Sequence, residues 1–202
     1  MYYVVYDNFL RADEFGRLKG YLGPDGEFPW KLGSRINNND QRNDDMYFAT
    51  NIYHAYSGWA NHFGQHILEA IDAVSTKLHI EALFRIKANM YFPSRTGKVV
   101  HHAPHIDADF YHQGALFFLT TCDAPTTMAD GTPIESIENR LLLFDPVTNH
   151  SSSSPTNAPF RQTINFNYFG AGINKNYKDR MVNPIPALSK NAEKLDEFWV
   201  KS

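Results

Sequence analysis

The sequence predicts a mainly β (α+β) domain in which helices come first and short strands follow. Between residues 57 and 78, Trp59, Phe63, Ile67, Ile71, Val74 and Leu78 recur three or four positions apart, which lines one face of an α-helix with apolar side chains. From residue 83 the period drops to two. In 83–92, Phe84, Ile86, Ala88, Met90 and Phe92 alternate with Arg85, Lys87, Asn89 and Tyr91. In 160–169, Ile164, Phe166 and Tyr168 alternate with Arg161, Thr163, Asn165 and Asn167. With 43% hydrophobic and 14% aromatic residues in 202, the chain has the material for one packed core.

In chain order, a strand is expected over 2–5. Asp7 or Asn8 then starts a helix that runs to about residue 22, where Gly23-Pro24 stops it. Residues 23–51 are rich in Gly, Pro, Asn and Asp, a loop composition long enough to serve as a lid. Ser57 caps the amphipathic helix, and His79 at its far end suits the negative pole of the helix dipole. Further strands are expected over 99–102, 115–121 and 140–145, separated by turn-rich joints such as Asp130-Gly131 and the run 151–155. Many short strands at this spacing point to a β sandwich or barrel. A last helix over 187–200 buries Leu195, Phe198 and Trp199.

Composition narrows the partners. The net charge is -3 and the isoelectric point about 6.3, so no basic excess calls for nucleic acid or an anionic membrane. Cys122 is the sole cysteine, which excludes an internal disulfide and suits a reducing compartment. No run approaches the ~18 apolar residues of a membrane span, and the first residues lack the basic start and apolar core of a signal peptide. The expectation is a soluble, cytoplasmic protein; the sequence leaves oligomeric state open.

The chemistry-bearing pattern is His105-x-Asp107 with His150 and Arg161 further along. A pair of this kind is weak by itself: nine histidines and 22 acidic residues in 202 make about one H-x-[DE] expected by chance. The chain has two, His79-Ile-Glu81 and His105-Ile-Asp107. Context favours the second. Residues i and i+2 of a strand point the same way, so His105 and Asp107 can reach one ion. His150 follows an apolar β run, Leu141–Phe144, that can bring it alongside. Two histidines and a carboxylate can hold one face of Fe(II) and leave the other open. His101, His102 and His112 are candidates for supporting groups or solvated loop residues, and a tetrahedral zinc site using His102 and His105 is the chemical rival. The polar faces of the strands carrying Arg161 and Asn89/Tyr91 either meet solvent or line the mouth of a barrel. In the second case Arg161 calls for an anionic ligand, best a carboxylate.

These residues resemble the Fe(II)- and 2-oxoglutarate-dependent oxygenases, in particular small single-domain members of the prolyl-4-hydroxylase-like branch. The resemblance covers roughly residues 1–170. It rests on the opening Val4-Val-Tyr-Asp-Asn-Phe-Leu, on Arg85-Ile-Lys-Ala-Asn-Met-Tyr-Phe-Pro93, on His102-Ala-Pro-His-Ile-Asp107, on Asn139-Arg-Leu-Leu-Leu-Phe-Asp-Pro146 followed by His150, and on Arg161-Gln-Thr-Ile-Asn-Phe-Asn-Tyr-Phe169. It implies a double-stranded β-helix (jelly roll) flanked by N-terminal helices. The domain would span 1–202, with 1–82 as helical and loop support, 83–170 as the jelly-roll core and 171–202 as a tail. It also implies His105, Asp107 and His150 as Fe(II) ligands, and Arg161 with Tyr91 and Asn89 as binders of 2-oxoglutarate. Thr163, Asn165 and His102 would be supporting residues. The implied reaction consumes O2 and 2-oxoglutarate, releases succinate and CO2, and hydroxylates a C–H bond of a peptide or small molecule. Collagen-type prolyl hydroxylases place a lysine where Arg161 stands, which weakens the case for a prolyl substrate. Two other functions fit the residues: a jelly-roll binding module with a vestigial metal site, and a zinc or cupin-type metalloprotein.

Overall fold

The computed structural model describes residues 3–33, 47–60 and 65–170. The helix expected over 187–200 and the middle of the expected lid lie outside the described residues. The elements are β1 (Tyr3–Tyr6), α1 (Ala12–Leu22), β2 (Lys31–Leu32), β3 (Tyr47–His54), β4 (Gly58–Trp59), α2 (Gln65–Lys77), β5 (Ile80–Tyr91), β6 (Val100–His101), β7 (Gln113–Phe118), β8 (Cys122–Met128), β9 (Pro133–Ser136), β10 (Arg140–Phe144), β11 (His150–Ser151), β12 (Ser153–Ser154) and β13 (Arg161–Gly170). The largest sheet runs β1-β10-β7-β13-β5-β3-β2, with β4 paired to β3. Two smaller sheets, β11-β8-β9 and β12-β6, complete the strands. Every pairing is antiparallel. No helix among the described residues is long and apolar enough to cross a membrane.

The large sheet is buried on both faces, and strand alternation divides its side chains between two cores. One face carries Val4, Ile86, Ala88, Phe117, Leu141, Leu143, Ile164 and Phe166 against Leu18 and Leu22 of α1 and Ile67, Ile71 and Val74 of α2. The other face carries Tyr3, Val5, Leu116, Phe118, Leu142 and Phe144 against Met128 and Ile134 of the smaller sheet. The result is a mainly β jelly roll with the two described helices on one side. Its interior is apolar at the β1/β10 end. At the β13/β5 end the same interior face becomes polar, because Arg161, Thr163, Asn165 and Asn167 alternate there.

Several boundaries differ from the sequence expectation for identifiable reasons. The first helix starts at Ala12, not at Asp7 or Asn8. Asp7 is taken by Arg140, which donates to its two carboxylate oxygens at 2.6 and 3.0 Å, and Asn8 has φ 51, outside the helical region. Glu14 instead accepts the Arg11 N–H at 3.0 Å and closes the helix start. Ser57 caps no helix. It forms the turn between β3 and β4 with Gly58, whose φ of 75 suits a residue lacking Cβ, and Trp59 packs on Tyr53 with ring centroids 4.9 Å apart. Phe63 lies outside the described residues. Residues 47–51 belong to β3 instead of the expected loop, and the segment 1–82 contributes four strands to the large sheet. In β5 the register slips so that Arg85 faces Asn167 and Leu83 faces Tyr168. Phe84 is the extra residue of this bulge. It leaves the apolar face expected of it and meets Phe110 and His112.

Candidate metal centre

His105, Asp107 and His150 come together with their ligand atoms all within 4.8 Å of one another. Backbone pairing does much of this. His105 and His150 exchange both N–H···O=C bonds at 3.0 Å, which seats two residues distant in sequence directly opposite each other. Their ring centroids are 4.6 Å apart. His150 Nδ1 donates to the Thr148 carbonyl at 3.0 Å, so Nε2 is the nitrogen left for an ion. The Asp107 N–H donates to the Pro146 carbonyl at 2.9 Å, tying its loop to the segment that carries His150. The Pro146 side chain packs over Gly114, where a Cβ would stand 3.0 Å from it. Nε2 of each histidine is 3.9 Å from Asp107 Oδ1. That separation is too long for a hydrogen bond; adjacent donors about 2.1 Å from one ion stand roughly 3.0–3.4 Å apart, so a bound cation would draw the three groups inward by several tenths of an ångström.

The carboxylate is held by residues the sequence reading only partly identified. Asp107 Oδ2 accepts from Asn165 Nδ2 at 3.0 Å and from Asn167 Nδ2 at 2.8 Å. Oδ1 accepts from Arg85 Nη2 at 3.0 Å. Asn167 is fully used: its Nδ2 also lies 3.1 Å from His112 Nε2, and its Oδ1 accepts from Arg85 Nε at 3.0 Å. His112 Nδ1 donates to the Phe110 carbonyl at 2.8 Å, which leaves its Nε2 as an acceptor. Asn165 was expected here as a supporting residue. Arg85 and Asn167 were not, although both sit on the polar faces that the period of two marks, directly across the β5/β13 ladder from each other.

Burial drives the Asp107 pKa up, but His150, Arg85 and the two asparagine amides outweigh it and hold the group at about 2. Burial, with the neighbouring His150, lowers His105 to about 4 against the pull of Asp107. His105 in the unfolded chain takes its proton near its ordinary value of 6.5, before the folded protein does. Metal-free protein therefore loses stability as pH falls from 6.5 toward 4, by at most roughly 3 kcal/mol, and the Asp107 contribution follows only below its ordinary 3.8. Urea unfolding at pH 7 and pH 4.5 measures this. His105→Gln should flatten the difference, and an equal slope in the variant contradicts the assignment.

Supporting bonds of this kind shape ligand affinity. Asn167→Ala frees Asp107 Oδ2 from one donor and leaves Arg85 without its second partner. The expected result is metal binding weaker by roughly 10- to 100-fold, read by equilibrium titration.

Arg161 is fully buried, so the solvent-facing reading of its strand face does not hold. Its Nη2 donates to Thr126 Oγ1 at 2.7 Å and its Nη1 to the Ser153 carbonyl at 3.3 Å. Among the described residues its Nε has no hydrogen-bond partner. Among the described residues no carboxylate lies within ion-pair distance of it; the guanidinium sits 5.6 Å from the ring centroids of Tyr91 and Phe118. Tyr91 faces it across the ladder, hydrogen-bonds Ser152, and lies between Tyr47 and His102 with ring centroids at 5.1 and 5.2 Å. Asn89 Oδ1 accepts from the Tyr47 hydroxyl at 2.6 Å. Arg161, Tyr91 and Asn89 therefore share the interior face whose other end holds Asp107, and Tyr47 joins them. Thr163 is buried between Asn89 and Phe118 in the sheet, and among the described residues no hydrogen bond joins it to the triad. His102 stands apart from the metal group. Its nitrogens lie 2.7 and 3.1 Å from the hydroxyls of Ser152 and Ser154, so the paired His102/His105 zinc site is not formed.

No family profile matches the chain, and no curated protein does. Solved structures do. A prolyl hydroxylase from Trichoplax adhaerens, in complex with a peptide fragment of the hypoxia-inducible factor oxygen degradation domain, is 19% identical with a TM-score of 0.55, over 83% of each chain. An oxidoreductase of the 2OG-Fe(II) oxygenase family from Burkholderia pseudomallei is 12% identical with a TM-score of 0.55, over 83% of this chain and 84% of that one. A non-heme α-ketoglutarate-dependent epimerase of nogalamycin biosynthesis is 15% identical with a TM-score of 0.50, over 84% of this chain and 76% of that one. The fold is theirs, a double-stranded β-helix.

Proposed function

We propose that the chain is an Fe(II)- and 2-oxoglutarate-dependent dioxygenase that hydroxylates an unactivated C–H bond of a peptide or small molecule, releasing succinate and CO2. The observation that carries this reading is one interior face bearing both a His-Asp-His group and a buried arginine with no carboxylate partner among the described residues. Each feature alone has ordinary explanations. A lone buried guanidinium with a bare Nε is a cost unless an anion joins it, and the planar fork of arginine suits a carboxylate best.

In this reading His105, Asp107 and His150 hold the iron, and Arg161 pairs with the far carboxylate of 2-oxoglutarate beside Tyr91 and Asn89. When bound, Fe(II), 2-oxoglutarate and O2 together supply an oxidative decarboxylation coupled to oxidation of the substrate. The chain's own share is to position and to exclude water. Arg85, Asn165 and Asn167 keep Asp107 ionised and oriented, so it meets a cation without first losing a proton. Tyr91 and Phe118 shield Arg161 from solvent, which strengthens its attraction for an anion. Among the solved structures the same fold carries a hydroxylase and an epimerase, so the choice of hydroxylation rests on the prolyl-hydroxylase resemblance.

The test is succinate release from 2-oxoglutarate by the purified full chain in air. Release that depends on iron and disappears in His105→Ala supports the reading. Release unaffected by that substitution, or none with iron and 2-oxoglutarate supplied, contradicts it.

A further inference from the structure

A second feature lies beside the triad, on the β3 side of β5. A cavity of about 460 Å³ is lined by Lys31, Asn51, Trp59 and Lys87, among others. Its volume falls in the range of small-molecule sites. Lys87 has Asn165 opposite it on β13 and Asn51 opposite it on β3. Asn165 is the residue whose amide holds Asp107, so Lys87 stands one ladder step from the metal ligands while also lining the cavity. Its ammonium lies 5.3 Å from the centroid of the Tyr47 ring. Among the described residues no carboxylate comes within ion-pair distance of it, and no acidic side chain lines the cavity. Burial, and after it Arg85, lower its pKa to about 8 against the pull of Asp107. The cation is thus held at a cost by its surroundings, as expected of a group that an anion completes. Trp59 is 45% exposed and adds a broad apolar wall.

We propose that this cavity seats the substrate, and that the substrate is a small molecule bearing a carboxylate, which Lys87 binds with Lys31 near the rim and Trp59 against its apolar part. This rests on the oxygenase reading for what happens to the molecule, but not for its binding. Lys87 pairs with Asn165 between the Arg161–Tyr91 and Arg85–Asn167 pairs of the ladder, so the bound acid would lie beside the residue that holds Asp107. A neutral substrate would leave Lys87 as it is, half-buried and without a counter-charge among the described residues.

Calorimetric titration under anaerobic conditions tests it, with the full chain carrying Fe(II) and saturating 2-oxoglutarate. The probes are a panel of N-acetyl amino acids and, compound for compound, their C-terminal amides. The expected result is that the best acids bind at least ~10-fold more tightly than their amides. Lys87→Met should erase that preference, and Lys87→Arg, which keeps the charge, should restore it to within about 3-fold. Acids and amides binding alike, neither binding, or a preference that survives in Lys87→Met overturns the proposal. Succinate formation is scored separately. Acid-selective binding without succinate release contradicts the oxygenase reading alone. Succinate release without acid selectivity contradicts the cavity assignment alone.

Discussion

Asp107→Ala is expected to abolish both Fe(II) binding and succinate release. The carboxylate is the one charged ligand of the group, and its side chain is 3% exposed. It also accepts hydrogen bonds from Arg85, Asn165 and Asn167. Removing it therefore does two things. The ion loses its anionic partner, and Arg85 keeps a charge with its main counter-ion gone. The second effect destabilises the metal-free protein by about 3 kcal/mol, so folding must be checked beside activity. Asp107→Asn separates the two, because it preserves the shape and part of the hydrogen bonding. A folded Asp107→Asn protein that binds no iron places the loss in the metal site. Wild-type iron binding in either variant contradicts the assignment.

Arg161→Ala should raise the Michaelis constant for 2-oxoglutarate at least ~10-fold and leave Fe(II) affinity nearly unchanged. A charge-assisted bidentate contact contributes about 1.5–3 kcal/mol or more, and ~10-fold corresponds to about 1.4 kcal/mol. Arg161→Lys keeps the charge but not the fork, so it should fall between. Stability supplies an independent reading. The guanidinium is buried and its Nε has no partner among the described residues, so Arg161→Met should leave the melting temperature of the ligand-free protein equal or higher. A large drop there, with an unchanged Michaelis constant, would make Arg161 a structural residue.

Much of the site was legible in the sequence because strand alternation is a local rule. Arg161, Asn165 and Asn167 fall on one face by counting in twos, as do Arg85, Lys87, Asn89 and Tyr91, and the ladder between β5 and β13 brings these two rows together. The joining of His105 to His150 was an inference about distant segments; the backbone bridge between them is its physical basis. What counting could not supply was the depth of the polar faces. Only the packing of the smaller sheets decides whether Arg161 meets solvent or the interior. The bulge at Phe84 was equally hidden, because a single inserted residue leaves composition unchanged while reversing which face follows it. Thr126 and Ser152 carry no motif, and their roles toward Arg161 and Tyr91 arise from pairing far along the chain. The helix starts were misplaced for a related reason. Asp7 has the chemistry of a cap, but Arg140, 133 positions away, claims its carboxylate, and Ser57-Gly58 serves a hairpin before it can serve a helix.

In the proposed function the triad and Arg161 form one site for Fe(II) and 2-oxoglutarate. It is tested most directly by adding 2-oxoglutarate to the iron-loaded full chain without oxygen while recording the visible spectrum. The expected result is a new absorption band that saturates at one equivalent, is absent in Asp107→Ala, and needs more 2-oxoglutarate in Arg161→Ala. No spectral change in the wild-type protein, together with a preference for zinc over iron, would contradict it.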